Sequence, residues 1–369
     1  MTEERALATI EEITELLSIE GADSIQIAKV RGWDVVVRIG EFQVGDIVIF
    51  FEIDSFLPLD DPRFTFLAPR GARKNPEGVE GHVLKTAKMR GIYSQGLVLP
   101  LRDFPELSRL PLEDFLSISE PVDDDPSYRV AKVGVDVTKF IPGLEKWDPP
   151  IPAELAGSAK GPFPSVIRKT DEERIQNMPW VFEPDEDLDG YWIATEKIDG
   201  SSMTVYIKDG VPGVASRNWD LEETSHNSMW KLARELGLIT WLAEYYPTGY
   251  AAIQGEIFGP GIQGNPLDVK EVQFRVFTIL DSETGDIPRG FWPIGDEDFG
   301  AEPVPLHSLP YPTSIEEALE QVENLKSKIN PQRPVEGVVW RNTRASHFKN
   351  GARASWKAIS QRYLLKHDR

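Results

Sequence analysis

The chain has 369 residues, no cysteine, five histidines and a formal net charge of −20 at pH 7. The missing cysteines exclude disulfides and thiolate zinc sites, and the histidines are too scattered to form a ligand cluster, so any metal must be bound by oxygen atoms. The length exceeds the size at which single hydrophobic cores stop growing, which predicts at least two domains, and the negative charge argues against nucleic-acid binding over the whole surface.

The first hundred residues predict a small β-domain. Strand-like runs, rich in β-branched and aromatic residues, recur at 33–39, 47–53 and 96–99. A turn-rich connection at 40–46 lies between the first two, as between short antiparallel strands. Strands this closely spaced predict a closed barrel.

A basic cluster precedes the last of these strands. It consists of Lys85, Lys88 and Arg90, which could hold phosphate groups. The alternative is a solvated surface, because short basic runs are weak signals of binding.

The residues from 106 to 165 are acidic and rich in proline, and we expect them to form an insertion and linker. Asp123 to Pro126 and Pro149 to Pro152 are the runs that indicate this. Beyond them, Thr170 and Glu173 have capping-box spacing, which predicts the start of a helix.

Lys197 is the most informative residue of the chain. It stands two positions before an Asp-Gly turn, in the run Glu196 to Gly200, where it could present an amine nucleophile. A free lysine has a pKa of roughly 10.4, so desolvation or a nearby cation must favour the neutral amine. The alternative is an ordinary strand that ends in an Asp-Gly turn.

The rest of the chain predicts a helix, a surface excursion and a basic end. Apolar residues recur at helical spacing from 314 to 329, behind a capping box formed by Ser314 and Glu317. Gly, Pro and acidic residues predict a surface excursion at 281–310. Residues 341–369 hold eight basic residues and one acid, which gives 8 − 1 = +7 and suggests a local polyanion track or a basic tail.

Five further runs follow Lys197 in order: Ser216 to Asn218, Gly255 to Gly259, Phe274 to Ile279, Glu336 to Val339, and Trp356 with Lys357. This order resembles the covalent nucleotidyltransferases, and residues 165–369 are similar to ATP-dependent RNA ligases. The segment 6–58 resembles the OB-fold in front of the catalytic domain of the fifth RNA ligase family, which seals nicks. Capping enzymes and most DNA ligases carry an OB-fold after the last lysine, whereas only twelve residues follow Lys357 (369 − 357).

The resemblance implies an α+β fold with two domains. We expect an N-terminal OB-fold β-barrel at 1–105 and an acidic, Pro-rich insertion or linker at 106–165. A nucleotidyltransferase domain of antiparallel sheets with flanking helices is expected at 166–369.

The resemblance also assigns the catalytic residues. It implies that Lys197 attacks the α-phosphorus of ATP, expels pyrophosphate and holds AMP as a phosphoramidate. Asp199 would organise metal-bound water or the amine. Lys357 would neutralise the α-phosphate as charge builds in the transition state.

The remaining site residues are assigned to the nucleotide and to a divalent ion. Glu196, Lys197 and Lys357 belong to the nucleotide-binding set, Arg217 would contact the ribose or a phosphate, and Phe277 would stack on adenine. Hard oxygen ligands suit Mg²⁺ or Mn²⁺, and the resemblance implies the metal set Asp199, Glu256 and Glu336, with Glu256 and Glu336 also serving the ribose.

Two positions depart from the RNA ligase pattern. RNA ligases commonly carry Phe-Asp where this chain has Phe277 followed by Thr278, so the role of the acid at position 278 is absent or displaced. The final motif usually has two lysines two positions apart, but Ser355 precedes Lys357 at that spacing. Lys349 or Arg353 could supply the second cation.

The sequence therefore predicts an ATP-dependent RNA ligase that seals 3′-hydroxyl and 5′-phosphate RNA ends or nicks. The alternatives are a catalytically decayed RNA-binding protein and a guanylyltransferase of the same superfamily. The N-terminus carries acidic residues, and no stretch approaches the roughly 20 apolar residues of a membrane span, so we expect a cytoplasmic protein without a membrane partner. RNA and ATP are the expected partners, and a monomer is the expected state, although the sequence leaves oligomerisation open.

Overall fold

The computed structural model describes residues 5–109, 132–147, 158–185, 188, 190–282, 285–287 and 300–367. Packing divides the chain into two units, one of Glu3–Pro150 with Leu364–Arg369, the other of Ile151–Tyr363. The runs at 123–126 and 149–152, which indicate a linker, lie outside the described residues, as does most of the predicted excursion at 281–310. The predicted domain boundaries at 105 and 165 stay predictions.

The first unit is built from short strands. Its largest sheet has the antiparallel order β10-β4-β1-β2-β3, a second has the order β11-β5-β7-β6, and β8 pairs with β9. The predicted strands at 33–39, 47–53 and 96–99 are confirmed as β3, β4 and β10. The strands are β1 (Ala8–Ser18), β2 (Ile25–Val30), β3 (Trp33–Arg38), β4 (Ile47–Phe51), β5 (Ser55–Pro58), β6 (Arg73–Lys74), β7 (Glu80–Val83), β8 (Ala87–Met89), β9 (Ile92–Ser94), β10 (Leu97–Pro100) and β11 (Glu145–Lys146).

The predicted N-terminal β-barrel is present as a curved, half-barrel sheet. A register shift between Ile13 and Glu15 lets the first part of β1 pair with β4 and the second part with β2, and such a bulge bends a strand. Among the described residues, the end strands β3 and β10 do not form a ladder with each other. They are linked instead just before β10, where the Gln95 amide donates to the Asp34 carbonyl at 2.8 Å.

Strand β4 is buried on both faces. Val48 and Phe50 pack in one apolar cluster with Trp33, which has no exposed surface. Their neighbours in β4 point into a second cluster, which also takes apolar residues from 132–147: Val137, Ile141 and Leu144. Burial on two faces explains why β4 is a continuous apolar run. Of the predicted linker, residues 132–147 are packed chain of the first unit, whereas residues 158–165 belong to the second unit.

The second unit contains two sheets. The larger has the order β12-β16-β15-β14-β17-β18-β19, with β20 parallel to β18, and the smaller has the antiparallel order β21-β13-β22-β23. The strands are β12 (Ala159–Pro162), β13 (Trp192–Lys197), β14 (Ser201–Lys208), β15 (Val211–Ala215), β16 (Trp219–Leu221), β17 (Tyr250–Phe258), β18 (Gln273–Asp281), β19 (Gly285–Ile287), β20 (Glu302–Pro303), β21 (Leu306–His307), β22 (Gly337–Asn342) and β23 (Ser355–Ile359).

In the described ranges the α-helices are α1 (Ser228–Glu235), α2 (Leu238–Tyr245), α3 (Ile315–Glu323) and α4 (Gln361–His367). Apolar residues of α1 and α2 pack on one face of the larger sheet, and those of α3 pack on the smaller sheet against Trp340 and Trp356. The predicted α+β class is confirmed. In the part of the chain that the structure describes, no helix is long and apolar enough to span a membrane.

Of the two predicted helix starts, one is confirmed and one is wrong. Ser314 caps α3, because its side chain accepts a hydrogen bond from the Glu317 amide, although α3 ends at Glu323 rather than at residue 329. No α-helix follows Thr170. There the Glu173 carboxylate accepts from the Arg174 amide, and a 3₁₀ turn begins at Ile175.

Gly337 allows β22 and β23 to approach each other beside Lys197. Gly337 is paired with Lys197 on one side and with Ile359 on the other. A Cβ atom at Gly337 would lie 2.1 Å from the Ala358 carbonyl oxygen, an overlap that only a shift of the backbone could relieve.

We expect Gly337→Ala to destabilise the protein by about 1 to 3 kcal/mol, the usual cost of forcing extra atoms into a packed region. Gly161→Ala is the matched control, because a Cβ atom there has nothing within 4 Å. Thermal unfolding of both variants measures the difference, and equal midpoints would contradict the close approach.

Candidate active site

Lys197 ends β13 on the face of the smaller sheet opposite the apolar core. Ala194 of the same strand packs with Val338 and Ala358 in that core, and side chains alternate along a strand. In the ladder, Lys197 lies opposite Gly337, and two residues further along β22 Val339 lies opposite Lys357. Lys197 and Lys357 therefore share one face of the sheet.

The amine of Lys197 is paired with the carboxylate of Glu336. Lys197 Nζ donates to Glu336 Oε1 at 2.6 Å, and the two side chains are 27% and 13% exposed. Glu336 immediately precedes β22, and its carbonyl accepts a hydrogen bond from the Ser360 amide, which fixes the backbone at that point. The pairing brings together two of the predicted residues from positions 139 apart in the chain.

Negative charge dominates the surroundings of Lys197. Burial alone would lower the pKa of Lys197, but the carboxylates of Glu336, Glu256 and Asp199 outweigh burial, and the pKa of Lys197 is raised. The amine is therefore an ammonium at neutral pH. Nucleophilic attack requires a change in this charge balance, which an added cation would provide.

Glu256 and Glu336 bind protons more tightly than free carboxylates, because their pKa values are raised. Burial, with repulsion from Glu336 and Asp199, raises the pKa of Glu256 to about 8 despite the attraction of Lys197. Burial and the charge of Asp199 also raise the pKa of Glu336, against the opposing effect of Lys197 and Lys357. Five predicted residues thus form one electrostatic cluster.

Asp199 is held by a residue that the sequence did not single out. Tyr363 is buried on α4, and its hydroxyl donates to Asp199 Oδ2 at 2.9 Å. The next residue, Gly200, passes so close to β17 that a Cβ atom there would lie 2.3 Å from the Ile257 carbonyl oxygen. The Asp-Gly turn thus brings Asp199 toward the strand that carries Glu256.

Phe277 is placed by a β-bulge in β18. Gln254 pairs with Thr278 and Gly255 with Val276, so Phe277 is the extra residue without a partner on β17. The ring packs with a cluster that includes Ile198, next to Lys197. A bulge re-aims side chains, and here it places Phe277 on the open side of the larger sheet.

Arg217 and Lys357 complete the predicted cationic set. Arg217 Nη2 bonds Asp171 Oδ1 at 2.7 Å, and its charge acts to lower the pKa of Glu256, though less than burial raises it. The Lys357 amide donates to the Glu173 carbonyl at 2.8 Å, so residues next to Glu173 lie alongside β23. Arg217 therefore acts through its charge on Glu256 of the Lys197 cluster. The backbone of Lys357 is held near the same cluster.

Glu196 is the predicted site residue whose carboxylate is turned away from Lys197. The carboxylate is 1% exposed and accepts from Ser327 Oγ at 2.5 Å, the Lys328 amide at 2.8 Å and His307 Nε2 at 3.1 Å. Neighbours in a strand point to opposite faces, which explains the separation. The predicted nucleotide role of the Glu196 side chain stays a prediction.

Several residues of the predicted basic track are paired within the protein. Arg341 and Arg353 contact Glu172, whereas Lys349 contacts Asp185 at 3.3 Å. Of the two candidates for the missing cation next to Ser355, Arg353 shares Glu172 with Ser355 and Lys349 does not. Charge counted along the chain overstates what is available to a polyanion, because it ignores these internal partners.

The site has donors that suit a divalent ion. Glu336 Oε2 is buried and accepts no hydrogen bond from the residues that the structure describes, and it lies on the carboxylate that holds Lys197. Within the described ranges, no three acidic or histidine side chains form a complete metal-ligand group. Mg²⁺ is commonly held by one or two carboxylates together with substrate phosphates and water, so the carboxylates present fit a shared site.

Arg341, Glu172 and Tyr363 are the supporting residues that sequence reasoning missed. Arg341 was counted in the basic track, and Glu172 lies between the predicted capping residues Thr170 and Glu173. In the sequence, only their closeness to motif residues could have indicated them. Tyr363 carried no signal in the sequence.

The comparisons with known proteins agree with this geometry. Residues 7–101 match a family model described as an OB-fold domain, and residues 190–359 match a model described as RNA ligase. No match was found among curated proteins.

Three solved structures are similar along the whole chain. Naegleria gruberi RNA ligase with PPi is 37% identical, with a TM-score of 0.82, over 99% of this chain and 100% of that chain. A mutant of that ligase with ATP and Mn is 36% identical, with a TM-score of 0.82, over 98% and 99%. Another mutant, with AMP and Mn, is 36% identical, with a TM-score of 0.81, over 99% of each chain.

The fold and the site thus define the class of protein: an OB-fold domain followed by a ligase domain. The chain belongs to the RNA ligase family, and it is an enzyme.

In the absence of nucleotide and metal, we expect Glu256→Gln to become more stable relative to the wild type as the pH rises. The pKa of Glu256 is raised from 4.5 to about 8, so the folded wild type binds a proton that the unfolded chain has lost. Its stability therefore falls as the pH rises through that range, by up to about 1 kcal/mol per pH unit, and the variant escapes this loss.

Thermal unfolding near pH 5 and near pH 8 measures this effect. Glu235→Gln removes an exposed carboxylate and serves as the control. A difference between Glu256→Gln and the wild type that stays constant with pH would contradict the raised pKa.

Proposed function

We propose that this RNA ligase joins 3′-hydroxyl and 5′-phosphate RNA ends, or seals nicks, through a covalent lysyl-AMP intermediate formed from ATP. The observation that carries the proposal is the amine of Lys197 in contact with Glu336, in one charged cluster with Asp199, Glu256 and Lys357. The complexes of the Naegleria gruberi relative with ATP and with AMP support the choice of nucleotide.

In the first step, neutral Lys197 Nζ attacks the α-phosphorus of ATP. A phosphorus–nitrogen bond forms, and the bond to pyrophosphate breaks. The Lys197 ammonium must first lose a proton, and Glu336 Oε1 accepts its hydrogen bond at 2.6 Å, so this carboxylate is placed to receive it.

In the second step, an oxygen of the RNA 5′-phosphate attacks the phosphorus of lysyl-AMP, which releases Lys197 and leaves an adenylylated 5′ end. In the third step, the 3′-hydroxyl attacks the 5′-phosphate phosphorus and AMP departs. Lys357 would neutralise the phosphate charge in these displacements. Arg217 would hold the ribose or a phosphate, Phe277 would stack on adenine, and Glu256 would serve the ribose.

One or two carboxylates of the set Asp199, Glu256 and Glu336 would hold Mg²⁺ or Mn²⁺ together with phosphate oxygens. The bound ion would add positive charge beside Lys197, which favours the neutral amine. The Mn in relatives solved with ATP or AMP supports this assignment. A cytoplasmic location, RNA as the partner, and a monomeric state are proposed on the sequence alone.

We expect Lys197→Ala and Lys197→Arg to abolish covalent labelling by α-labelled ATP with a divalent ion. The arginine keeps the positive charge but supplies no amine nucleophile at neutral pH, so it separates the nucleophile from the charge. Labelling of either variant at the wild-type level would defeat the assignment. Lack of label in the wild type would favour a decayed RNA-binding protein.

We expect Lys357→Ala to label more slowly, by on the order of a hundredfold, because it removes one electrostatic contact to the transition state while Lys197 remains. Single-turnover labelling at saturating ATP measures the rate. A wild-type rate would remove Lys357 from the proposed mechanism.

Unlabelled GTP in excess should not reduce the label from ATP if the protein is an adenylyltransferase. A label from GTP that exceeds the label from ATP would favour the guanylyltransferase alternative.

Nicked duplexes with RNA or DNA on each side of the break then identify which strands the protein seals, since the label alone does not report the acceptor.

A further inference from the structure

A single guanidinium joins the two sheets of the second unit beside Phe277. Arg341 lies on β22 of the smaller sheet, and its Nη1 donates to the Phe277 carbonyl at 2.7 Å and to Thr278 Oγ1 at 2.8 Å, both on β18 of the larger sheet. Its Nη2 donates to Glu172 Oε1 at 2.7 Å. The planar fork of arginine can make these contacts at once, whereas a lysine ammonium cannot.

The contact falls on the bulge that positions the ring. Phe277 has no partner on β17, since the ladder passes from Val276 to Thr278. Arg341 holds the carbonyl of this extra residue and the hydroxyl of the next one. Arg341 therefore fixes the backbone from which the Phe277 ring projects.

Glu172 extends the same connection to Lys357. Its mostly buried carboxylate accepts from Arg341 and from the Ser355 hydroxyl, and it lies 3.2 Å from Arg353 Nη1. The residue after Glu172 accepts from the Lys357 amide through its carbonyl, and Arg174 forms a parallel bridge with Lys357. The segment that carries Glu172 thus supports the backbone of Lys357.

The two departures from the RNA ligase pattern meet in this network. Thr278 contacts Arg341 and Ser355 contacts Glu172, so a hydroxyl stands at both positions where RNA ligases commonly carry a charged group. Glu172 is the carboxylate that touches both Arg341 and Ser355. It bonds Nη2 of the guanidinium, beside the Nη1 that bonds Thr278.

We propose that Glu172 and Arg341 are positioning residues that hold Phe277 and Lys357 in register, and that Glu172 supplies the carboxylate that the chain lacks at Thr278. The inference rests on the proposed function, in which Phe277 stacks on the nucleobase and Lys357 contacts the α-phosphate. Neither positioning residue touches the nucleotide. They act by keeping the base and the phosphorus at the separation that Lys197 needs for attack.

Glu172→Gln and Arg341→Lys test the pair. Both variants keep the size of the side chain, but the first removes the anion between two guanidinium groups and the second removes the fork. We expect each to raise the KM for ATP in the labelling reaction and to slow labelling at saturating ATP, by about tenfold to a hundredfold, as small misplacements of reacting groups do.

The double variant Glu172→Gln with Thr278→Asp provides a rescue. Thr278 Oγ1 already accepts from Arg341 Nη1, so an aspartate at this position returns a carboxylate to the same guanidinium. We expect the double variant to recover most of the labelling rate and of the KM that Glu172→Gln loses. A general loss of folding would not be repaired by a second charge at a buried position.

Glu223→Gln and Arg234→Lys are the matched controls, because Arg234 Nε bonds Glu223 Oε1 at 2.5 Å in an exposed ion pair of the same domain. They should keep the wild-type KM and rate. The proposal is overturned if folded Glu172→Gln and Arg341→Lys match these controls, or if Thr278→Asp gives no recovery. A wild type that takes no label at all would instead defeat the proposed function.

Discussion

The contact between Lys197 and Glu336 is the interaction on which the rest of the site depends. An amine can attack phosphorus only when it is neutral, and here three carboxylates outweigh burial and keep it charged. The resting protein therefore holds its nucleophile as an ion pair. The pKa values of Glu256 and Glu336 are raised as well, because burial and repulsion from neighbouring carboxylates both disfavour their ionised forms.

Two sheets with one covered face each explain how these groups come together. On the smaller sheet, Trp340 and Trp356 pack under α3, whereas Lys357, the residue after Trp356, points to the other face. On the larger sheet, α1 and α2 cover one face and Glu256 stands on the other. Strand alternation allows one short segment to contribute to the core and to the chemistry, which is why the motif residues are embedded in apolar runs.

Much of this was predictable because the informative residues come in an ordered series. The positions of Lys197, Glu256 and Lys357 on strands, the cap at Ser314 and the small N-terminal β-domain all follow from local patterns. What the sequence could not reveal depends on partners far away in the chain. Whether the barrel closes depends on how the end strands β3 and β10 meet. The capping-box spacing at Thr170 does not show whether a nearby side chain has a stronger partner in a distant part of the chain.

The acidic run near Glu172 is the clearest example of that limit. A local pattern predicted a helix, but the carboxylate of Glu172 is more strongly stabilised by Arg341 and Arg353, whose charges keep its pKa low against the effect of burial. Tertiary ion pairs can override a helix propensity that is worth a few tenths of a kcal/mol per residue. The same pairs explain why a basic end of the chain is less available to a polyanion than its charge suggests.

The most direct test of the account is to locate the nucleotide on the protein. Wild-type protein incubated with ATP and a divalent ion, then digested and analysed by mass spectrometry under conditions that preserve phosphoramidates, should carry AMP on the peptide that contains Lys197 and on that lysine. AMP found on another residue, with Lys197 unmodified, would contradict the central claim.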